Sequence, residues 1–450
     1  MSMVRDNKEA REFVLHAVKE NDVKFIRLWF TDILGNLKGF AVTVEELKSA
    51  LESGKGFDGS AIQGFARTDE SDMIAMPDPT TFTLLPWRPK QDAVAKMFCD
   101  ILTPDGAPFE GDPRFILKRN LKQAADMGYT FYVGSELEFF YFEMRDGAPT
   151  TAPLDQGGYF DQTSLDVGSD MRRETVLTLE KMGIPVEYSH HEAAPSQHEI
   201  DLRYSDALSM ADGVMTYRTV VKQVAMKHGV FATFMPKPIH GVNGSAMHVY
   251  QSLFEGDRNA FYNPEDQDHL SDTAKSFVAG LLRAAPEITL ATNQWVNSYK
   301  RLVPGFEAPV NVSWARRNRS DLVRIPDHRP GRDDSTRIEY RAPDAACNPY
   351  LAFSGLLAAG LEGVEKKWMP PPPADEDLSL LSEEERKLRG IENLPRSLGE
   401  AIVAADAGHV LRNSFGPRTF ETLIRNKTIE WEDYRGHVHE YELRRYLPNL

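Results

Sequence analysis

Residues 189–202 read SHHEAAPSQHEIDL and crowd Glu192, Glu199 and Asp201 beside His190, His191 and His198. Carboxylates this close repel one another unless positive charge stands among them. The pattern recurs along the chain. FYVGSELEFFYF at 131–142 is apolar except for Glu136 and Glu138, whose two-residue spacing turns both to one face of a strand. The same spacing aligns Gln197, Glu199 and Asp201; His248, Tyr250 and Ser252 in SAMHVYQSL; and Arg337, Glu339 and Arg341 in RIEYR. Any one segment suits a sheet with one wet face. Together they favour a shared site whose cation is arginine or a metal. Carboxylates with a single histidine form a hard, oxygen-rich set, better suited to Mg²⁺ or Mn²⁺ than to zinc.

Arginines supply the other half of the chemistry. Arg301 lies in YKRLVPGFEAP, Arg319 and Arg324 in RRNRSDLVRIP, and Arg337 and Arg341 flank Glu339. Any one of them alone reads as a surface ion pair. Beside a metal-carboxylate site, arginine forks point to anionic ligands, a nucleoside triphosphate and an acidic substrate. The chain has no GxxxxGKS/T, so a P-loop does not explain nucleotide binding. Phosphoryl transfer on a metal-carboxylate floor is the inferred chemistry.

These side chains need a large scaffold. The 450 residues allow two or three domains with ample core, and 41% hydrophobic residues with 24 phenylalanines exclude a disordered chain. A net charge of −15 argues against nucleic-acid or anionic-membrane binding. Two cysteines, Cys99 and Cys347, make neither a disulfide framework nor a zinc site and fit a reducing cytosol. The charged start MSMVRDNKEAREF lacks a signal-peptide core, and LAFSGLLAAGLEGV at 351–364 is too short to span a bilayer and reads as a buried helix. A cytoplasmic protein is expected.

Apolar spacing at Phe13, Val14, Ala17 and Val18 predicts a first helix, and a hairpin is expected around Gly35-Asn36. The Gly- and Pro-punctuated stretches GKGFDGSAIQGF and MPDPTTFTLLPW read as a surface loop region, and AKMFCDIL as a strand. TPDGAPFEGDPR at 103–114 is the linker candidate, giving domains 1–108 and 109–450. Beyond it helices at 114–127, 171–182, 206–228, 272–291 and 348–366 alternate with strands. PPPPADED reads as a solvated break, after which Ser382 and Glu385 form a capping box.

FDGSAIQGF, ESDM, SELEFF, HHEAAPSQHEID, ATFMPKP, GVNGSAMH, NSYKRLVPGFEAPV, RNRS, RIP, RIEYR and NPYLAFSGLLAAGL, in this order and spacing, resemble type I glutamine synthetases nearly end to end. The resemblance implies an α+β chain, with a small β-grasp N-terminal domain followed by a larger catalytic α/β domain. It implies a homododecamer of two stacked hexameric rings with active sites shared between neighbouring subunits. It makes Glu138, Glu192 and Glu199 ligands of one metal, and Glu136, His248 and Glu339 ligands of a second near the nucleotide phosphates. Asn243, Gly244, Arg301, Glu307 and Arg341 match the glutamate site. Glu187, Tyr204, Ser252, Arg319 and Arg324 match the ATP site. Asp58 matches the residue that binds ammonium, and Glu307 the flap residue that closes the site. His190, His191 and His198 are then supporting groups rather than ligands. The implied reaction joins ammonia to the γ-carboxylate of glutamate through a γ-glutamyl phosphate at the cost of ATP.

The chain departs from the family pattern at Ala246, where glycine is usual, and at Tyr250, where His or Asn is. Segment 369–400 has no tyrosine to adenylylate, and Arg67 matches an arginine linked to glutamine feedback in the other branch of the family. TNQWVNSYKRL and ELRRYLPNL are similar to actinobacterial members, some of which are glutamate–amine ligases. The alternative is therefore a ligase for a polyamine or ethanolamine, and, from a different class, a non-catalytic structural relative like the lens protein of this fold.

Overall fold

The computed structural model describes residues 2–60, 62, 72–316, 321–327, 331, 333–376 and 378–450. The first helix, Ser2–Glu20, buries Val14, Ala17 and Val18 along one stripe, while Phe13 lies off that stripe and is 64% exposed. Six strands follow: β1 (Val23–Thr31), β2 (Leu37–Thr43), β3 (Lys55–Asp58), β4 (Asp72–Pro77), β5 (Thr83–Leu84) and β6 (Ala93–Leu102). They form one sheet in the order β2-β1-β6-β4-β3, with β5 also on β6; β1 and β6 run parallel and the other pairs antiparallel. The hairpin at Gly35 is present, with Gly35 at φ +80°. The expectation of a surface loop over the glycine- and proline-rich stretches is corrected by β3, β4 and β5. Their prolines sit at strand ends and in the 3₁₀ turn Pro79–Thr81, where no ladder N–H is needed.

The second sheet carries the site. Its strands are β7 (Thr130–Arg145), β8 (Ala148–Pro153), β9 (Val186–His191), β10 (Gln197–Asp206), β11 (Val230–Thr233), β12 (Met247–Glu255), β13 (Arg258–Asn259), β14 (Trp314–Ala315), β15 (Val323–Arg324) and β16 (Ile338–Tyr340). The order is β14-β15-β16-β12-β7-β10-β9, with β8 and β11 also on β7. Alternation along β7 turns Glu136 and Glu138 one way and the fully buried Leu137, Phe139 and Tyr141 the other. Phe139 packs on Tyr217 of helix Ala207–Lys227, whose hydroxyl donates to Leu137 O at 3.0 Å. Helices Asp272–Thr292 and Pro349–Lys366 lie so close together that a Cβ on Gly280 would stand 2.1 Å from Ala359 O. The small-residue run at 351–364 permits that approach. No helix among the described residues is long and apolar enough to cross a membrane.

Arg114 ties the two sheets together. It is 3% exposed and donates to Asp78 at 2.8 Å and Asp100 at 2.6 Å on one side, and to Asp212 of the helix layer at 3.0 Å on the other. Asn348, the cap of helix Pro349–Lys366, donates to Asp32 O and Ile33 O in the β1–β2 turn. The Ser382–Glu385 capping box is present.

Candidate active site

Register brings the acidic residues together. Glu199 lies opposite Glu138, and Asp201 opposite Glu136, across the β10–β7 ladder. His248 of β12 faces Glu136 from the other side, His190 of β9 faces Glu199, and Glu339 of β16 faces Tyr250. Five adjacent strands thus build one acidic floor.

Three clusters stand on it among the described residues, one of them Glu136, Glu199 and Asp201. Glu136, His248 and Glu339 each bring one ligand atom within 4.8 Å of the others, and His190, Glu192 and Glu199 do the same. His248 Nδ1 is 3.2 Å from Glu136 Oε2, and His190 Nε2 is 3.3 Å from Glu192 Oε1 and 3.5 Å from Glu199 Oε2. His190 therefore stands inside the cluster of Glu192 and Glu199, closer than a supporting role required. Glu138 lines the same cavity, but its Oε2 already accepts from Gln197 Nε2 at 2.7 Å and Ala246 N at 3.0 Å.

The electrostatics fit a divalent cation. Burial first, and the Glu192 charge second, push Glu138 up to about 8. Burial and then Glu136 push Asp201 up to about 8, while burial and then Asp201 hold Glu199 well above the carboxylate range. Oxygen donors that resist ionisation on their own are those a divalent ion would ionise and bind.

Arg324 and Arg341 both donate to Glu339. Arg337, aligned with Glu339 by the alternation of RIEYR, does something else. β16 spans only Ile338–Tyr340, so Arg337 leaves the pleat, sits 5.0 Å from the centre of the Tyr250 ring and donates to Ser335 O. Arg301 is 2% exposed and spends three hydrogen bonds on the carbonyls of Arg341, Ala342 and Pro343.

Two joined cavities open over the floor. The inner one, about 140 Å³, is lined by all six carboxylate and histidine candidates and by Asn243, Gly244, Arg301, Glu307 and Arg341. The outer one, about 460 Å³, is lined by Glu187, Tyr204, Ser252 and Arg324. Glu136, Tyr188, Tyr250 and Arg324 border both. Asp58 lies apart, exposed at the end of β3, where its carboxylate accepts from Ser60 N at 2.8 Å. Arg319 and Arg67 lie outside the described residues.

Sequence reasoning missed three features. Tyr159 lines the inner cavity and stacks on Phe160 at 4.1 Å, both rings standing edge-on to His190; the glycine pair before them marks only a turn. Asp155 lies 3.0 Å from His191 Nε2 and accepts from Ser196 N at 2.8 Å, pinning the turn that carries Glu192; Ser196 holds φ +58°. Lys237 was quoted only as part of a motif, yet it borders the Glu307 segment.

The family profile described as "Glutamine synthetase, catalytic domain" matches residues 110–446, and "Glutamine synthetase, beta-Grasp domain" matches 22–104. The chain is 53% identical to a glutamine synthetase of Mycolicibacterium smegmatis, covering 97% of this chain and 99% of that one. It is 51% identical to a glutamine synthetase of Methanosarcina mazei, covering 98% of each. Among solved structures, a GmaS/ADP complex superposes with TM-score 0.88 at 32% identity, covering 97% of this chain and 99% of that one. A Plasmodium falciparum glutamine synthetase superposes with TM-score 0.87 at 26% identity, covering 98% of each. The fold is a β-grasp domain followed by a larger catalytic domain, and the chain belongs to the glutamine synthetase family.

Proposed function

We propose that this chain makes glutamine by ATP-dependent ligation of ammonia to the γ-carboxylate of glutamate. The observation that carries the reading is the acidic floor with its triads beneath joined cavities, in a chain about half identical to named glutamine synthetases over nearly its whole length. The relatives at 53% and 51% identity are named glutamine synthetases, so a ligase for larger amines is not favoured. A complete ligand set has no use in a purely structural relative.

Glu138, Glu192 and Glu199, with His190 close by, would hold one Mg²⁺ or Mn²⁺, and Glu136, His248 and Glu339 a second. Bound there, divalent ions supply positive charge to the phosphate oxygens. The residues do the rest. Glu187, Tyr204 and Ser252 would receive the nucleotide in the outer cavity. Arg341, Arg301, Asn243 and Gly244 would hold glutamate in the inner one. Its γ-carboxylate oxygen attacks the terminal phosphorus, ADP leaves with the bridging electron pair, and Arg324 and Arg319 stabilise the transferred group. Asp58, reaching over from a neighbouring subunit, would take a proton from ammonium. The freed ammonia attacks the γ-carbonyl carbon and phosphate departs. Glu307 would close the site against water, which hydrolyses acyl phosphates. The reading includes the division at residue 108, a cytoplasmic setting and a homododecamer with shared sites. The test is phosphate release from ATP with glutamate and a panel of amines. Ammonium should dominate; a higher kcat/KM with putrescine or ethanolamine would replace this reading with the amine-ligase one.

A further inference from the structure

Lys237 joins three segments around the inner cavity. Asn297 clamps its backbone from both sides: Asn297 Oδ1 accepts from Lys237 N at 2.7 Å, and Asn297 Nδ2 donates to Lys237 O at 3.1 Å. Its ammonium donates to Val242 O, immediately before Asn243. The same ammonium sits 3.7 Å from the centre of the Phe306 ring. Phe306 precedes Glu307, which is exposed, holds a left-handed φ of +53° and accepts from Asn243 Nδ2 at 3.3 Å. A cation on a ring face is attracted by the quadrupole, more strongly once water is excluded, and Lys237 is only 8% exposed.

Residues 303–310 have no regular structure, and Pro304 and Gly305 are exposed. Such a segment needs a tether to keep one conformation. The ring of Phe306 on a lysine whose backbone is itself clamped provides it. We propose that Lys237 is a positioning residue that holds the Glu307 segment down over the inner cavity. The proposal rests on the glutamine-forming reading, because its purpose is to keep the acyl phosphate for ammonia. When the segment lifts, a water oxygen attacks the γ-carbonyl carbon in place of ammonia. The carbon–oxygen bond to phosphate breaks, phosphate leaves with the electron pair, and glutamate is regenerated.

The experiment compares wild type with Lys237→Met, Phe306→Leu and Lys237→Arg. The first readout is the ratio of glutamine formed to phosphate released at saturating ATP, glutamate and ammonium. Lys237→Met and Phe306→Leu should each raise the uncoupled share about tenfold, the worth of a shielded cation–π contact. Lys237→Arg, which keeps charge and donors, should restore coupling. A general folding defect would lower both products together and leave the ratio alone. The second readout is amide hydrogen exchange of the peptide spanning 303–310, which needs no activity. Faster exchange in both variants, reversed in Lys237→Arg, supports the tether; wild-type exchange or a wild-type product ratio in both variants overturns it. A wild-type enzyme that releases no phosphate with glutamate and ammonium overturns the glutamine-forming reading instead, while exchange still decides the tether.

Discussion

Adding one methyl group at Gly244 should disable the inner cavity. A Cβ at this residue would stand 2.2 Å from Pro236 O and 3.2–3.3 Å from the Cγ and Cβ of Arg301. A methyl group and a carbonyl oxygen settle at roughly 3.3 Å, so about 1 Å of movement is needed. Little around it can yield. Pro236 O already accepts from Ser245 N at 2.8 Å, and Gly244 O accepts from Gln197 Nε2 at 3.0 Å, the same amide that holds Glu138. The shift therefore passes to Glu138 and Arg301 together. A misplacement of about 1 Å in a reacting geometry costs on the order of 10²-fold in rate, or about 2.7 kcal/mol of transition-state stabilisation. Overpacking should also cost about 1–3 kcal/mol of folding stability. The assay is kcat/KM for glutamate by phosphate release at saturating ATP and ammonium, with thermal unfolding alongside. Gly213→Ala is the control: nothing lies within 4 Å of its added Cβ on helix Ala207–Lys227, so it should keep activity and gain roughly 0.5–1 kcal/mol of stability. Full kcat/KM in Gly244→Ala would refute the reasoning, because it would mean the loop moves without cost to the site.

Glu339→Gln leaves Arg324 and Arg341 without their shared carboxylate; phosphate release should fall at least about 10²-fold while circular dichroism stays native. Arg114→Met removes the guanidinium shared by Asp78, Asp100 and Asp212, leaving Lys118 beside Asp100 and the Tyr350 hydroxyl on Asp212, and should lower the unfolding free energy by about 3–5 kcal/mol in a denaturant titration. Lys96 is buried, and burial lowers its pKa to about 8 from 10.5. The unfolded chain binds more protons between these values, so the stability Lys96 contributes is full above pH 10.5 and is lost as pH falls to about 8. Lys96→Met should therefore be more stable than wild type at pH 7 by about 3 kcal/mol, with the difference shrinking toward pH 10.5; a pH-independent difference would count against the burial argument. Asp58→Asn and Arg341→Ala should each be nearly inactive, yet regain glutamine formation when co-assembled, since sites confined to one chain could not recover.

Wherever the backbone repeats, side-chain chemistry was legible. Period-two alternation paired Glu136 with Glu138 and grouped Gln197 with Glu199 and Asp201, and the ladders place these sets face to face. The five long helices appear within two residues of their expected ends, because apolar periodicity and caps such as Asp206 and Ser271 act locally. Non-local facts were not legible. Nothing near Arg337 in the chain says that a three-residue strand will hand Glu339 to Arg324 instead. The strands β3 to β5 were hidden by turn-forming residues, since their pairing energy comes from distant neighbours. The Phe306–Lys237 contact likewise depends on two loops meeting in space.

The layout of the second sheet also has a kinetic consequence. His248 and Glu136, 112 residues apart in sequence, share a register position, and Gln197 reaches Glu138 across 59 residues. Such pairings come with high contact order, so loop closure must precede any reward from pairing, and the sheet should form slowly. Until β12 and β16 dock, a nascent chain would hold mutually repelling carboxylates without the histidine and arginines that steady them. Divalent ions should then speed the late phase of refolding rather than the initial collapse. Fragments ending before β16 keep Glu138, Glu192 and Glu199 but lack Glu339, so their rates should depend on ions less steeply than that of the whole chain.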